Sequence, residues 1–177
     1  MSPKLVLPIT GGFLRPLSEK DVHQDYIDGL NDLDVNRYLN TVKYSKQTKE
    51  SVISFVTINK LSLNSILWGI WSSQLIHHIG TVRLHNIDHD HRIAYIGVCI
   101  FDKSFWGKGF ASQAISVVTR WAFDILKLRW VEATIYDENL YSQRVFLKAG
   151  YKWINDIHGK YLLEGIPVSV RVYVSQN

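Results

Sequence analysis

The sequence predicts an α/β (α+β) domain in which helices pack on a mixed, mostly antiparallel central sheet. Three observations predict this class. Strand-like runs between residues 65 and 101 are separated only by short polar turns, which is typical of an antiparallel meander. A long run that starts near Gly109 repeats apolar residues at helical spacing. Residues 92–136 together have the pattern of a strand, a helix and a second strand. The predicted order is β-α-α-α-β-β-β-α-β-α-β-β.

The first third of the chain is predicted to contain one strand and three helices. Residues 11–17 have a short strand pattern. Ser18 then has the position of a helix N-cap, with Asp21 completing an imperfect capping box. A second short helix is expected over residues 34–39, and Thr48 is expected to cap a third helix with a broad apolar side.

The rest of the chain is predicted to alternate between strands and helices. One helix is expected from Gly109, and another over residues 139–149, where Gly150 suits the residue that follows a helix. Gly159 is expected to break the chain between the last two strands. The strands are expected at residues 65–71, 75–87, 92–101, 130–136, 151–157 and 168–174.

Composition and charge restrict the class of protein. The chain has 177 residues, of which 46% are hydrophobic and 20% charged, and no run of about 18 apolar residues occurs. We therefore expect one soluble, cytoplasmic domain spanning residues 1–177, with no membrane partner. The net charge of +4 comes from scattered Lys and Arg, so no nucleic-acid partner is expected. Cys99 is the only cysteine, which excludes an internal disulfide bond.

The most informative motif is the run Trp106-Gly107-Lys108-Gly109-Phe110-Ala111, which lies between a strand pattern and a helix pattern. Its two glycines have no Cβ, so backbone N–H groups can approach an anion closely. The helix that follows adds its unpaired first-turn N–H groups and the positive end of its dipole. The motif therefore predicts a phosphate cradle, with a pyrophosphate as the ligand.

Several motifs, in the expected order, resemble the GNAT superfamily of acetyl-CoA-dependent N-acetyltransferases. The superfamily signature Gln/Arg-x-x-Gly-x-Gly/Ala is similar to Ser104-Phe105-Trp106-Gly107-Lys108-Gly109, which keeps the glycines and departs at the first position. Ala94-Tyr95-Ile96-Gly97, Asn139-Leu140-Tyr141-Ser142 and Gly150-Tyr151 resemble the branch that includes the ribosomal-protein N-terminal acetyltransferases. The resemblance covers residues 13–174.

The resemblance implies the acyl-CoA N-acyltransferase fold, with helices on both faces of a sheet that is splayed open at the acetyl-CoA site. The opening would lie between the strands ending at Phe101 and Tyr136, and Gly97 would lie at a bulge. Acetyl-CoA would be the co-substrate. The residues implied in its binding are Val98, Cys99 and Ile100 for the pantetheine arm, Trp106, Gly107, Lys108, Gly109, Phe110 and Ala111 for the pyrophosphate, Asn139 and Ser142 for the pantetheine or thioester, and Lys108, Arg144 or Lys148 for charge at the rim.

The sequence leaves several candidates for the residues that transfer protons. Many relatives carry Glu where this chain has Tyr95, and a catalytic Tyr where it has Phe146, which has no proton to donate. Ser142 is the expected substitute, with Tyr141 beside it. Tyr95 is expected to hold the acceptor or a water, because a tyrosine is a poor base at neutral pH. His85 is a further candidate base, since the pKa of an imidazole suits the task. Each of these residues has an ordinary structural role as its alternative.

The resemblance implies direct attack by a primary amine on acetyl-CoA in a ternary complex. A backbone N–H near Val98 would stabilise the oxyanion, and Asp137 or Glu138 could bind a cationic acceptor. The expected acceptor is an amino-sugar nucleotide or another small amine such as a polyamine; the alternatives are a protein N-terminus, or no reaction at all in a non-catalytic acyl-CoA-binding module. Acceptor specificity is expected in residues 35–45, 67–71, 85–90 and 159–167.

Other reactive or aromatic side chains are expected to be structural. His77, His78, His89 and His91 match no strong zinc pattern, so we expect no metal. Cys99 lies in an apolar strand and is expected to be a buried, unreactive thiol. Trp68 and Trp71 are expected in the core. A homodimer is possible through edge strands or the final hairpin.

Overall fold

The computed structural model describes residues 5–40, 42–74 and 76–177, and these form one eight-stranded sheet with five α-helices. The strands are β1 (Leu7–Ile9), β2 (Gly12–Pro16), β3 (Ile66–Ser72), β4 (His77–Asp88), β5 (Ile93–Ile100), β6 (Trp130–Tyr136), β7 (Lys152–Leu163) and β8 (Ile166–Gln176). The helices are α1 (Gln24–Asn31), α2 (Leu33–Asn36), α3 (Lys49–Leu61), α4 (Phe110–Leu126) and α5 (Leu140–Lys148). Short 3-10 turns at Glu19–Asp21 and Lys103–Phe105 precede α1 and α4.

The sheet opens between β5 and β6. The strand order is β1-β2-β3-β4-β5-β6-β8-β7, and among the described strands only β5 and β6 pair in parallel. They pair over three residues each, and Tyr95–Glu132 is the last pair. Beyond it β5 continues to Ile100 beside β4, and β6 continues to Tyr136 beside β8. The splayed sheet implied by the resemblance is therefore confirmed.

Helices cover both faces of this sheet, with a separate apolar core on each side. α4 and α5 pack on one face of the sheet. The helix residues in this core include Ala114, Ile115, Val118 and Phe146, and they pack with strand residues such as Ala94, Ile96 and Ala133. α1 and α3 pack on the other face through Tyr26, Ile27, Val52 and Val56, together with Leu67, Trp71 and Phe101. Because each core lies on its own side of the sheet, the positions of the strand ends at the opening are fixed from both faces.

The N-terminal elements differ from the sequence-based prediction in two places. β1 was not predicted, because it has only three residues and Pro8 interrupts its pattern; it is held by pairing with β2. Ser18 begins a 3-10 turn, and α1 starts later. The N-cap of α1 is His23, whose Nδ1 accepts a hydrogen bond from the Tyr26 N–H at 3.4 Å. The predicted cap at Thr48 is confirmed, because its side chain accepts from the Ser51 N–H.

The predicted bulge at Gly97 is wrong. Gly97 pairs in register with Arg83 on β4, and the irregularity in this ladder lies between His85 and Asp88. Asn86, with φ +48°, lies inside the irregular stretch. Asparagine tolerates the left-handed conformation better than most residues, which explains why the ladder is disturbed there.

The final hairpin is longer than predicted. β7 continues through Gly159 to Leu163, and its pairing with β8 shifts register between Ile157 and Tyr161. Gly159 has φ +63° and so permits an irregularity within the strand in place of a break. The predicted start of β4, Leu75, lies outside the described residues. None of the helices in the described ranges is long and apolar enough to span a membrane.

Asp21 ties the segment before α1 to β2. The Arg15 guanidinium donates two hydrogen bonds to its carboxylate, at 2.6 and 2.9 Å, and lies 4.1 Å from the centre of the Trp71 ring. The Ser18 hydroxyl and N–H also donate to it, at 2.7 and 2.8 Å. Burial opposes the charge, but these donors outweigh it and lower the pKa of Asp21 to about 2.

We predict that Asp21→Asn lowers the free energy of unfolding at pH 7 by roughly 2 kcal/mol. A lowered pKa stabilises the fold above the unfolded-state pKa and the stabilisation is lost as the pH falls toward the folded-state value. The deficit should therefore shrink to about half at pH 3. Urea denaturation from pH 7 to pH 3 measures it, with the exposed Asp25→Asn as the control. A deficit that is independent of pH would contradict the prediction.

Candidate active site

The edge of β5 is open where the sheet splays. The Phe101 N–H donates to the Ile79 carbonyl of β4 at 3.1 Å. Because peptide groups of successive residues in a strand point to opposite sides, those of Ile96, Val98 and Ile100 point toward β6. Past Tyr95 no strand pairs with that side. Of the three residues predicted to contact pantetheine, Val98 and Ile100 thus present peptide groups to the opening, while the backbone of Cys99 faces β4.

The glycine-bearing turn closes one end of this opening. Gly107 and Gly109 have φ values of +74° and +83°, which L side chains rarely adopt. Gly109 is the N-cap of α4, and the first helical hydrogen bond runs from the Gln113 N–H to the Gly109 carbonyl at 3.1 Å. The N–H groups of Phe110 and Ala111 therefore lack partners within the helix. Left-handed glycines and free helix amides together form the kind of cradle that binds phosphate.

Trp106 and Tyr141 link this turn to its neighbours. The Trp106 indole N–H donates to the Ile100 carbonyl at 2.8 Å, across the end of the opening. The Gly107 N–H donates to the Tyr141 hydroxyl at 2.7 Å. An anion that binds the Gly107 N–H must displace or share this hydroxyl. Tyr141 therefore lies at the cradle, and its position beside Ser142 in the motif gave no signal of this contact.

The first turn of α5 lies on the same side of the sheet. The Asn139 side chain accepts from the Ser142 N–H at 3.0 Å, so it serves as the helix cap. The Ser142 side chain is half-buried. Gln143 is buried and donates to the Asp137 carbonyl at 2.7 Å, which fixes α5 to the end of β6. Phe146 is 2% exposed and packs edge-on against Tyr151, so it takes no part in an open site.

The other face of the opening carries Tyr95, His85 and Glu132. The Tyr95 and His85 rings stack with centroids 6.0 Å apart. The charge of Glu132, followed by burial, raises the pKa of Tyr95, which makes Tyr95 a still poorer base. Burial, followed by the charge of Arg83, lowers the pKa of His85, which favours its neutral imidazole. Next to Tyr95 along this face, a Cβ built on Gly97 meets no atom within 4 Å, which leaves open space beside Tyr95.

Aromatic side chains border this space at the end of β6. The Tyr136 ring lies 5.4 Å from Tyr38 and 5.6 Å from Tyr161, measured between centroids. The Lys43 ammonium donates to the Tyr136 hydroxyl at 3.2 Å. The Tyr44 hydroxyl donates to the Leu162 carbonyl at 3.0 Å, so the segment before α3 touches the β7–β8 hairpin. Two of the segments expected to set acceptor specificity thus meet here.

The carboxylates beyond Tyr136 already have cationic partners. Asp137 lies 2.6 Å from Arg171, and Glu138 lies 3.5 Å from Arg37. They border a cavity of about 130 Å³. A larger hollow of about 400 Å³ beside α1 contains several aspartates, one of which, Asp32, lies 2.6 Å from Lys103.

The remaining candidates lie apart from the opening. His78 is buried and stacks on Trp71, whereas His77 and His91 contact Asp102 and Asp88 separately. Within residues 5–40, 42–74 and 76–177, no three His, Cys, Asp or Glu side chains are placed to share a metal ion. Burial raises the pKa of the Cys99 thiol to about 12, which agrees with an unreactive cysteine. Trp68 is fully buried in the core.

Comparison with known proteins agrees with this architecture. The sequence pattern of the family described as acetyltransferase (GNAT) domain matches residues 13–152. The uncharacterized N-acetyltransferase YoaA of Bacillus subtilis (strain 168) is 29% identical over 162 residues, which cover 90% of this chain and 90% of YoaA.

Solved structures share the fold at lower sequence identity. A GNAT-family acetyltransferase from Bacillus anthracis has a TM-score of 0.84 at 21% identity, covering 97% of this chain and 98% of that one. A spermidine N-acetyltransferase from Vibrio cholerae, in complex with CoA and spermine, has a TM-score of 0.83 at 19% identity, covering 95% and 96%. Since the family pattern spans most of its length, the chain belongs to the acetyltransferase (GNAT) domain family and is an acetyl-CoA-dependent N-acetyltransferase.

Proposed function

We propose that the protein transfers the acetyl group of acetyl-CoA to the primary amine of a small molecule, by direct attack in a ternary complex and within a single N-acetyltransferase domain. The observation that carries the proposal is the opening between β5 and β6, which ends at the glycine-bearing turn. An unpaired strand edge suits an extended amide chain, and the free amides of the turn suit a diphosphate. Pantetheine diphosphate has these two parts in this order.

The proposed roles follow from the two faces of the opening. Trp106 to Ala111 hold the diphosphate, and the peptide groups of Val98 and Ile100 pair with pantetheine. The Val98 N–H stabilises the oxyanion that forms on the acetyl carbonyl. Ser142 protonates the departing thiolate. The coenzyme takes the α4 side, so the acceptor approaches from the face that carries Tyr95, and Tyr95 and His85 position it.

An amino-sugar nucleotide is the first candidate acceptor. Tyr38, Tyr136 and Tyr161 offer flat surfaces for a ring, and Lys43 offers a cation for a phosphate. Burial works against the charge of Lys43, but hydrogen bonds with Tyr136 and Tyr44 raise its pKa. The nearby Asp137 and Glu138 are already neutralised by arginines, which disfavours a polycation such as the spermine bound by the Vibrio cholerae structure.

The proposal is tested by thiol release from acetyl-CoA across a panel of amines. The panel should contain an amino-sugar nucleotide, spermidine and a peptide with a free N-terminus, with CoA binding measured by calorimetry in parallel. Turnover with the sugar nucleotide supports the proposal. Turnover confined to the peptide would favour the ribosomal-protein type of enzyme, and CoA binding with no turnover at all would favour a non-catalytic module.

We predict that Gly107→Ala weakens CoA binding at least tenfold. In the free protein the added Cβ meets no atom within 4 Å, but it occupies the cradle where the diphosphate would lie. Gly165→Ala is the matched control, because Gly165 also has a positive φ, +81°, and open space around it, and lies in the β7–β8 turn. Calorimetry gives the affinity and thermal unfolding gives the stability. Equal CoA affinity in both variants would contradict the cradle.

We predict that side chains at Gly97 block the acceptor and spare the coenzyme. Gly97 lies in ordinary extended backbone, so substitution costs little stability, and its Cβ would point to the Tyr95 face. Along the series Ala, Val, Leu, the KM for the amine should rise stepwise to at least tenfold while CoA affinity stays within twofold. Steady-state kinetics with calorimetry measures both. A parallel loss of CoA binding would contradict the assignment of the acceptor to the Tyr95 face.

We predict that Ser142→Ala lowers kcat about tenfold or more, with CoA affinity nearly unchanged. The Ser142 N–H, which Asn139 caps, is retained in the variant, so α5 keeps its first turn. Stopped assays of thiol release and calorimetry separate the two effects. An unchanged kcat would remove Ser142 from the proton transfer.

A further inference from the structure

We propose that Glu132 is the base that accepts the proton of the acceptor ammonium. The inference rests on the proposed function and adds to it a residue on β6 that supplies the carboxylate missing from β5. The motif that resembles the GNAT superfamily has Tyr95 where many relatives carry Glu, and neither Tyr95 nor Ser142 is a base at neutral pH.

Glu132 lies beside Tyr95 in the sheet. It pairs in register with Tyr95, and this pair is the last one before β5 and β6 separate. Register partners on neighbouring strands project to the same face of a sheet, about 4.8 Å apart. Glu132 therefore lies on the proposed acceptor face, at the point where the opening begins. The open space at Gly97 is two residues further along β5.

Glu132 has no cationic partner among the residues that the structure describes. The salt bridges of the described ranges bind Asp137 and Glu138 to arginines but do not include Glu132. In the described ranges its one side-chain hydrogen bond is a long one, of 3.4 Å, from the Trp130 indole N–H. A half-buried carboxylate without a counterion attracts an ammonium group and can take its proton.

The groups around Glu132 support this assignment. On β5, Tyr95 is the register partner of Glu132, and the charge of Glu132 is the first cause of the raised pKa of Tyr95. On β4, the His85 ring stacks on Tyr95 on the side away from β6, and Arg83 lies two residues before His85 in the same strand. On β7, Tyr161 also acts on Tyr95, and the exposed Lys152 lies two strands away, beyond Val174. None of these neighbours has to lose a proton before Glu132 can act.

The Glu132 carboxylate takes one proton from the ammonium, directly or through a water, and the nitrogen lone pair is freed. That pair forms the C–N bond to the thioester carbonyl, whose π electrons move to the oxygen. When the oxyanion collapses, the C–S bond breaks and its electron pair leaves on sulfur. The nitrogen loses its second proton to solvent. The thiolate takes the proton of the Ser142 hydroxyl, which solvent replaces, and Glu132 returns its own proton to solvent.

The test compares Glu132→Gln with wild type at saturating acetyl-CoA, using the best amine of the panel. Removal of a general base should lower kcat between 10² and 10⁴ fold, roughly, with CoA affinity within twofold. The remaining rate should rise about tenfold per pH unit up to the pKa of the free amine, because only the neutral fraction then reacts. Glu132→Asp should recover part of kcat. Asp124→Asn, an exposed carboxylate on α4, is the control and should match wild type.

A readout independent of turnover accompanies the kinetics. Ultraviolet titration of the tyrosines should show that the pKa of one phenol, Tyr95, is lower in Glu132→Gln than in wild type. This fall would report that the variant is folded and that the charge of Glu132 has been removed. A kcat within twofold of wild type would overturn the inference, as would a rise in KM alone, since that is the effect of a counterion. If His85→Asn loses kcat while Glu132→Gln keeps the wild-type kcat, the base is His85 and the inference is overturned. A wild-type enzyme that turns over no amine would instead overturn the proposed function.

Discussion

The early end of the β5–β6 pairing is the constraint on which the rest of the structure depends. Each of the two strands keeps a full ladder on its other side, β5 with β4 and β6 with β8, so they can separate without leaving the sheet. The peptide groups of Val98 and Ile100, which face the opening, lose their strand partner as a result. Buried or half-buried peptide groups need hydrogen bonds, and the indole of Trp106 supplies one of them. The others are left for whatever enters the opening.

Two helix N-termini converge on this opening, and each is placed by packing on the same face. α4 presents left-handed glycines at its first turn, while α5 is fixed by the Asn139 cap and the Gln143 bridge to β6. The opposite face instead presents the side chains of Tyr95, His85 and Glu132. The sheet therefore separates two environments, one rich in free amides and one with a carboxylate, an imidazole and phenols. Two reactants can reach the same gap without competing for one surface.

The parts of this arrangement that depend on local sequence could be predicted, and those that depend on register could not. Gly107 and Gly109 favour the left-handed conformation because they are glycines. The amphipathic pattern after them predicts α4 without any knowledge of the rest of the fold. By contrast, Glu132 faces Tyr95 because two distant segments pair in a particular register, which no spacing within either segment reveals. Gly97 shows the same limit. A glycine in a strand suggests a bulge, yet here the ladder is regular and the missing side chain leaves space on one face. β1 escaped prediction because three residues that include a proline carry no period.

The bond between Gly107 and Tyr141 has a thermodynamic consequence for ligand binding. The turn is already held in its left-handed form by a neutral hydroxyl, so an incoming anion meets a shaped backbone and loses little entropy in ordering it. At the same time it gains no additional hydrogen bond at that amide, since one acceptor replaces another. The advantage of a phosphate oxygen over the phenol is then its charge, because charge-assisted hydrogen bonds are stronger than neutral ones. Affinity at this corner of the fold should accordingly weaken as ionic strength rises.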